Sequence, residues 1–189
     1  MALSKIDAAN FLTGTIPQGN VANASLGAVT SLPAAIATGK VLQVVQGIKT
    51  DTFTTTATGA TDVGLSASIT PASTSSKILV QVNLMSSNGS ASITGSHLLL
   101  RGSTIIAGGN SAGSRATGFC STGTWNGSWN GINGSGMYVD SPSTASAITY
   151  KVQVIKEGST YYLNRTGRDT DDAWHCRSAS TIILTEIAG

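Results

Sequence analysis

Strict two-residue alternation is the feature that most limits what this chain can fold into. In "TDVGLSASI", Val63, Leu65, Ala67 and Ile69 fall on one side of an extended chain, and Asp62, Gly64, Ser66 and Ser68 on the other. "KILVQVNLM" repeats the pattern with Ile78, Val80, Val82 and Leu84. This is the pattern of a strand with one face buried and one face wet. No stretch carries the three-to-four-residue apolar spacing of an amphipathic helix.

The rest of the chain from Lys40 onward uses the same grammar. "GKVLQVVQ" opens a first apolar strand, and "STIILTEIAG" supplies a closing one. "HLLLRGSTIIAG" reads as a hairpin turning at Arg101-Gly102-Ser103. "ITYKVQVIKEGSTYYLNR" reads as a second hairpin, with Tyr150, Val152 and Val154 inward and Glu157-Gly158 at the turn. "GGNSAGSRATG" is a long loop. Seven to nine short strands predict an all-β fold, an antiparallel β-sandwich of jelly-roll type over residues 40–189. The strongly apolar first and last strands are expected to be central in their sheets.

Composition supports turns and strands. Of 189 residues only 11% are charged, against roughly 25% in an ordinary domain. Glycine (22 residues), Ser and Thr fill the space. A formal net charge of +2, with basic residues never adjacent, gives no footprint for nucleic acid. Apolar runs as short as Leu98-Leu99-Leu100 predict no membrane insertion. "MALSKIDAAN" lacks the apolar core of a secretory signal, so synthesis in a cytoplasm is expected.

Residues 1–39 form a different unit. Ile6, Phe11, Ile16, Val21 and Leu26 stand five apart, separated by small and turn-forming residues. Pro17 and Pro33 forbid a continuous helix, and "SLPAAIATG" has room for a single helical turn. One apolar residue in five does not offset a backbone ordering cost of roughly 1–2 kcal/mol per residue. The segment therefore needs company. Four pentapeptide-like units are too few for a solenoid, whereas three extended chains meeting on an axis satisfy the spacing. An extended segment for trimerisation and attachment, built on those five residues, is the expectation, with a loose linker as the alternative.

"LSKIDAANFLTGTIPQGN" resembles the N-terminal and shaft segments of tailed-bacteriophage fibre proteins. The stretch from "GKVLQVVQGIKTDTF" to "KILVQVNL", with "YVDSPSTASAITYKVQV" and "STIILTEIAG", looks like the C-terminal domain of fibre-like virion proteins from phages of aquatic bacteria. The resemblance covers most of the chain. It implies a homotrimeric structural protein of the virion, docked to other virion proteins through its N-terminus. It also implies either a tail fibre contacting host-surface glycan or a capsid-decorating head fibre with a purely structural role. At 189 residues the chain is shorter than long tail fibres.

Chemistry-bearing residues are sparse. His97 and His175 are the only histidines, and no GxSxG, HExxH or phosphate-cradling loop occurs. No enzyme activity and no cofactor are expected. "RDTDDAWHCRS" gathers Asp169, Asp171, Asp172, His175 and Cys176. It reads as a polar loop set by Asp turn chemistry, with an oxygen-bound divalent ion and a Cys–His nucleophile as the alternatives. Cys120 and Cys176 have neither CxxC nor metal-ligand spacing. Reduced thiols are the default in a cytoplasmic product. Candidate ligand contacts are Trp125, Asn126, Trp129 and Asn130 in the doubled "WNG", together with Tyr162 and Trp174. Indoles beside amides suit a sugar, and the same residues also suit a core or a subunit interface. Of the neighbours Tyr161 and Tyr162, one must face away from the core.

Overall fold

The computed structural model describes residues 40–90, 94–122 and 130–189. Trp125, Asn126, Trp129, the helical turn before Gly39 and the five apolar positions from Ile6 to Leu26 lie outside the described residues. Among the described residues there is no helix.

Eleven strands follow one another: β1 (Val41–Lys49), β2 (Phe53–Thr55), β3 (Thr61–Ile69), β4 (Lys77–Asn88), β5 (Gly95–Arg101), β6 (Thr104–Ile106), β7 (Cys120–Ser121), β8 (Ile132–Asp140), β9 (Ile148–Lys156), β10 (Tyr161–Leu163) and β11 (Ser180–Ile187). They form two sheets. One has the order β1-β11-β4-β10-β2, with β8 on the far side of β4. The other has the order β3-β9-β5-β6, with β7 also on β5. Every pairing is antiparallel.

Three pairs of strands are broken ribbons. β10 and β11 lie end to end along β4, β2 and β1 lie along them, and β7 and β6 share one side of β5. Eleven strands thus make eight ribbons. The first pairs with the last, the second with the seventh, the third with the sixth and the fourth with the fifth. One long hairpin wound into two facing sheets produces that order, and it is the jelly roll.

The core is built as the alternation requires. Val63, Leu65, Ala67 and Ile69 from one sheet meet Ile78, Val80, Val82 and Leu84 from the other, with Val152, Val154, Ile182 and Leu184 beside them. Full burial of each large aliphatic stabilises by roughly 1.5–3 kcal/mol. Tyr150 and Tyr161 are the largest fully buried side chains. Tyr161 is the inward member of its pair and Tyr162 the half-buried one.

Three expectations are corrected. First, "ITYKVQVIKEGSTYYLNR" is no hairpin. β9 pairs with β3 and β5, β10 pairs with β2 and β4, and the turn at Glu157-Gly158 carries the chain from one sheet to the other. Alternation alone does not say whether two strands lie side by side or face to face. The crossing is held by Lys156, whose buried ammonium donates to the carbonyls of Thr56, Gly158 and Ser159. Second, β1 is an edge strand, while β11 is interior as expected. Third, the strands of the described residues number eleven because β2, β7 and β8 are not separable by pattern. In β8 the inward positions include Gly134 and Gly136, so no alternation shows.

The hairpin at Arg101-Gly102-Ser103 is present, with Arg101 opposite Thr104 and Gly102 at φ +60°. Residues 107–119 form the long loop expected there.

The sandwich is closed at two places by polar groups. Asp140 accepts from Arg101 at 3.0 Å and from the Tyr150 hydroxyl at 2.6 Å, tying β8 to β5 and β9 of the opposite sheet. Glu186, fully buried, accepts from Gln43 at 2.6 Å and from the Ala72 amide at 2.7 Å, fixing the connection between β3 and β4.

Candidate functional site

The loop from Asn164 to Ala179, between β10 and β11, is the most elaborately braced surface feature of the described chain. Its neck is set by Asn164, which is buried in the left-handed region at φ 61°. The Asn164 amide group donates to the Lys49 and Asp51 carbonyls and its Oδ1 accepts from Ser180 at 2.6 Å. Asn tolerates that backbone geometry better than most residues. An isolated bridge between Arg165 and Arg177 closes the neck.

The body of the loop is held by charge. Arg177 forks onto Asp169, with Nε to Oδ1 at 3.0 Å and a terminal nitrogen to Oδ2 at 2.7 Å. Arg165 approaches the same carboxylate at 3.4 Å and donates to the Thr166 and Gly167 carbonyls. Its guanidinium lies 4.4 Å from the centroid of the Tyr162 ring. A two-armed Arg–carboxylate contact is geometrically more exacting than a single ion pair. The Arg177 contact holds the Asp169 carboxyl below its ordinary range.

Asp172 sets the tip. One of its oxygens, Oδ1, accepts from the Trp174 amide at 2.9 Å and the His175 amide at 3.1 Å, and lies 2.7 Å from His175 Nδ1. Those contacts, His175 first, lower its carboxyl pKa. This is the Asp turn chemistry read from the sequence. The carboxylates of Asp169 and Asp172 point to different partners, and no cluster of three His, Cys, Asp or Glu side chains suited to a metal gathers among the described residues.

Beyond Asp172 stands Trp174, 89% exposed. Large aromatics are usually buried for most of their area, so a bare indole on a braced loop is an exception among the described residues. Of the other candidates, Tyr162 sits at the base of this loop under Arg165. Asn130 is exposed on a different element, just before β8. The residues that stiffen the loop, Arg165 and Arg177, were not found by sequence reading. Their only signal was one Arg four residues before Asp169 and another eight after it.

A second cluster lies in the core. His97, read from sequence as an ordinary strand residue, is fully buried on β5. Its Nε2 is 2.8 Å from the Tyr161 hydroxyl, its Nδ1 is 3.5 Å from Cys120 Sγ, and its ring meets Tyr161 edge-on at 5.8 Å. Burial pulls the imidazole down to about 4 and pushes the Cys120 thiol up to about 11. Both are neutral near pH 7. A nucleophilic cysteine needs the opposite shift, so this trio is a packing device. Both Cys120 and Cys176 are free thiols.

No known family model matches the chain, and no curated protein matches it in sequence. No helix among the described residues is long and apolar enough to cross a membrane.

Proposed function

We propose that the chain is a structural virion protein, a homotrimeric phage fibre whose jelly-roll head projects from the particle and attaches to host-surface glycan. The observation that carries attachment is Trp174. An indole left 89% exposed offers a flat apolar face to the CH face of a sugar ring. Its loop is held by the Asp169–Arg177 fork and the Asp172 turn, so ordering on binding costs little. The scarcity of charge and the hydroxyl-rich composition suit a virion surface protein that meets glycans rather than nucleic acid. No catalytic step belongs to this reading.

Three copies would act together, so weak single sites suffice. The test is binding of the full chain to a panel of purified bacterial lipopolysaccharides and capsular polysaccharides. Binding to at least one is expected, with Trp174→Ala weakening it roughly ten-fold or more. Full retention in Trp174→Ala removes this loop from recognition. Binding to none of the panel, together with docking to isolated phage heads, would turn the reading to a capsid-decorating fibre.

A further inference from the structure

The two outer faces of the sandwich differ. On the β3–β9 sheet the outward residues satisfy one another: Asp62 accepts from Lys151 and Gln153, and Ser68 bonds Thr149. That is an ordinary wet face. Across the β1–β11–β4–β8 sheet the outward rows read Val44–Thr185–Leu79–Val139, Gln46–Ile183–Gln81–Met137 and Ile48–Thr181–Asn83–Ser135. None of these positions is charged, and Lys77 stands alone beyond the end of the rows. Val44, Ile48 and Met137 are 59%, 60% and 70% exposed. A shallow groove of about 370 Å³ runs through the middle, lined by Gln81, Asn83, Met137 and Ile183.

We infer that this face is covered by sister copies of the same chain. The inference rests on the fibre reading for the number of copies and adds where they touch. Three observations favour a copy over another occupant. An uncharged face can meet itself without like-charge repulsion or loss of ion hydration, whereas a face of one charge sign cannot. On strand β1 the outward positions Val44 and Ile48, with Gln46 between them, are left bare by the lone chain, while Gln43, Val45, Gly47 and Lys49 turn inward. Finally, the 39 residues that precede the described chain enter the sandwich at Val41, the start of the edge strand of this very face. Chains gathered through that segment begin their heads beside it. The rows contain no aromatic ring for a sugar to stack on and no basic rim for a lipid surface.

Met137 reports on the face directly, because an exposed thioether oxidises readily and a covered one does not. The full chain is sized by native mass spectrometry and treated with peroxide, with oxidation followed by peptide. The expected result is a mass that is a multiple of 19.1 kDa. Met137 should then oxidise roughly ten-fold or more slower than free methionine. Val44→Glu and Met137→Glu are expected to raise the dissociation concentration roughly ten-fold or more, with unchanged circular dichroism. An assembled chain whose Met137 oxidises at the free rate overturns the proposal and leaves the fibre reading standing on other contacts. A single chain of 19.1 kDa overturns both. Should either variant fail to fold, the wild-type oxidation rate decides.

Discussion

Gly136 is where the packing makes its sharpest claim. It sits at an inward position of β8, opposite the ring of Phe119. A Cβ added there would lie 2.5 Å from Phe119 Cζ and 2.7 Å from Cε1. Carbon atoms pack best at about 3.5–4.0 Å, so the ring would have to retreat by roughly 1 Å. Two effects oppose each other in Gly136→Ala. Replacing a strand glycine gains about 0.5–1 kcal/mol from the lower freedom of the unfolded chain. Overpacking a filled site costs about 1–3 kcal/mol. The clash wins over most of these ranges, and the variant should be destabilised by up to about 2.5 kcal/mol. At about 2–4 °C per kcal/mol for a chain of this size, the melting temperature should fall by up to roughly 10 °C.

The assay is urea unfolding of the full chain at fixed protein concentration, since assembly also moves the midpoint. Gly134→Ala is the milder neighbour, because its Cβ would meet Cys120 Sγ and His97 Nδ1 at 3.3 Å and needs only tenths of an ångström. The decisive comparison places Gly136→Ala in a Phe119→Leu background, where the ring edge is gone. There the same substitution should become neutral or stabilising by about 0.5 kcal/mol. An equal cost in both backgrounds, or a gain in both, refutes the account of β8 as a strand hollowed to receive Phe119.

Other consequences concern polar groups. Burial pushes the Glu186 carboxyl up, but its hydrogen-bonding neighbours, Gln43 first and then Ser76 and the Ala72 amide, together outweigh it and the net shift is downward. A carboxyl with a lowered folded pKa stabilises fully above its unfolded value and loses that contribution as pH falls through the folded one. The stability gap between wild type and Glu186→Gln should therefore be constant above about pH 5 and shrink below about pH 4, as followed by thermal melts against pH. Tyr150→Phe should cost about 1.5–3 kcal/mol, the range for a hydrogen bond to a charged group. In an Asp140→Asn background it should cost less, and additivity in a double-mutant cycle would refute the link across the sheets. With an aromatic disulfide reagent near pH 8, exposed Cys176 should react fast and Cys120, pushed up to about 11 and half-buried, far more slowly. Two equally fast thiols would contradict the burial of the His97 cluster.

What was legible in the sequence is what one strand writes about itself. Val63 to Ile69 and Ile78 to Leu84 each carry a full inward set, and both became core. Where space is filled from the other side, the strand is silent. β8 contributes Gly134 and Gly136 inward, and the volume there belongs to Phe119, Cys120 and His97. The site follows the same rule. Asp169 and Asp172 were visible as carboxylates and the loop was read correctly as polar. Their assignment to Arg177 and to the tip amides depends on a chain reversal that spacing does not encode. The pairing of first ribbon with last was equally invisible, because antiparallel partners at opposite ends of a chain share no local signal.

β1 is the informative exception. Its apolar pairs Val41-Leu42 and Val44-Val45 carried the expectation that it would be central. The fold instead puts it at an edge, with Val44 and Ile48 outward and bare. The expectation of a central, covered strand is therefore corrected: in the lone chain the outward positions of β1 are bare. A strand has only two sources for a second cover, another layer of its own chain or a neighbouring molecule. The described sandwich spends its other sheet on the inner face of β1. The outer face of β1 continues without a charge through β11, β4 and β8, so the bare Val44 and Ile48 of the edge strand belong to the same uncharged surface that we propose sister chains cover.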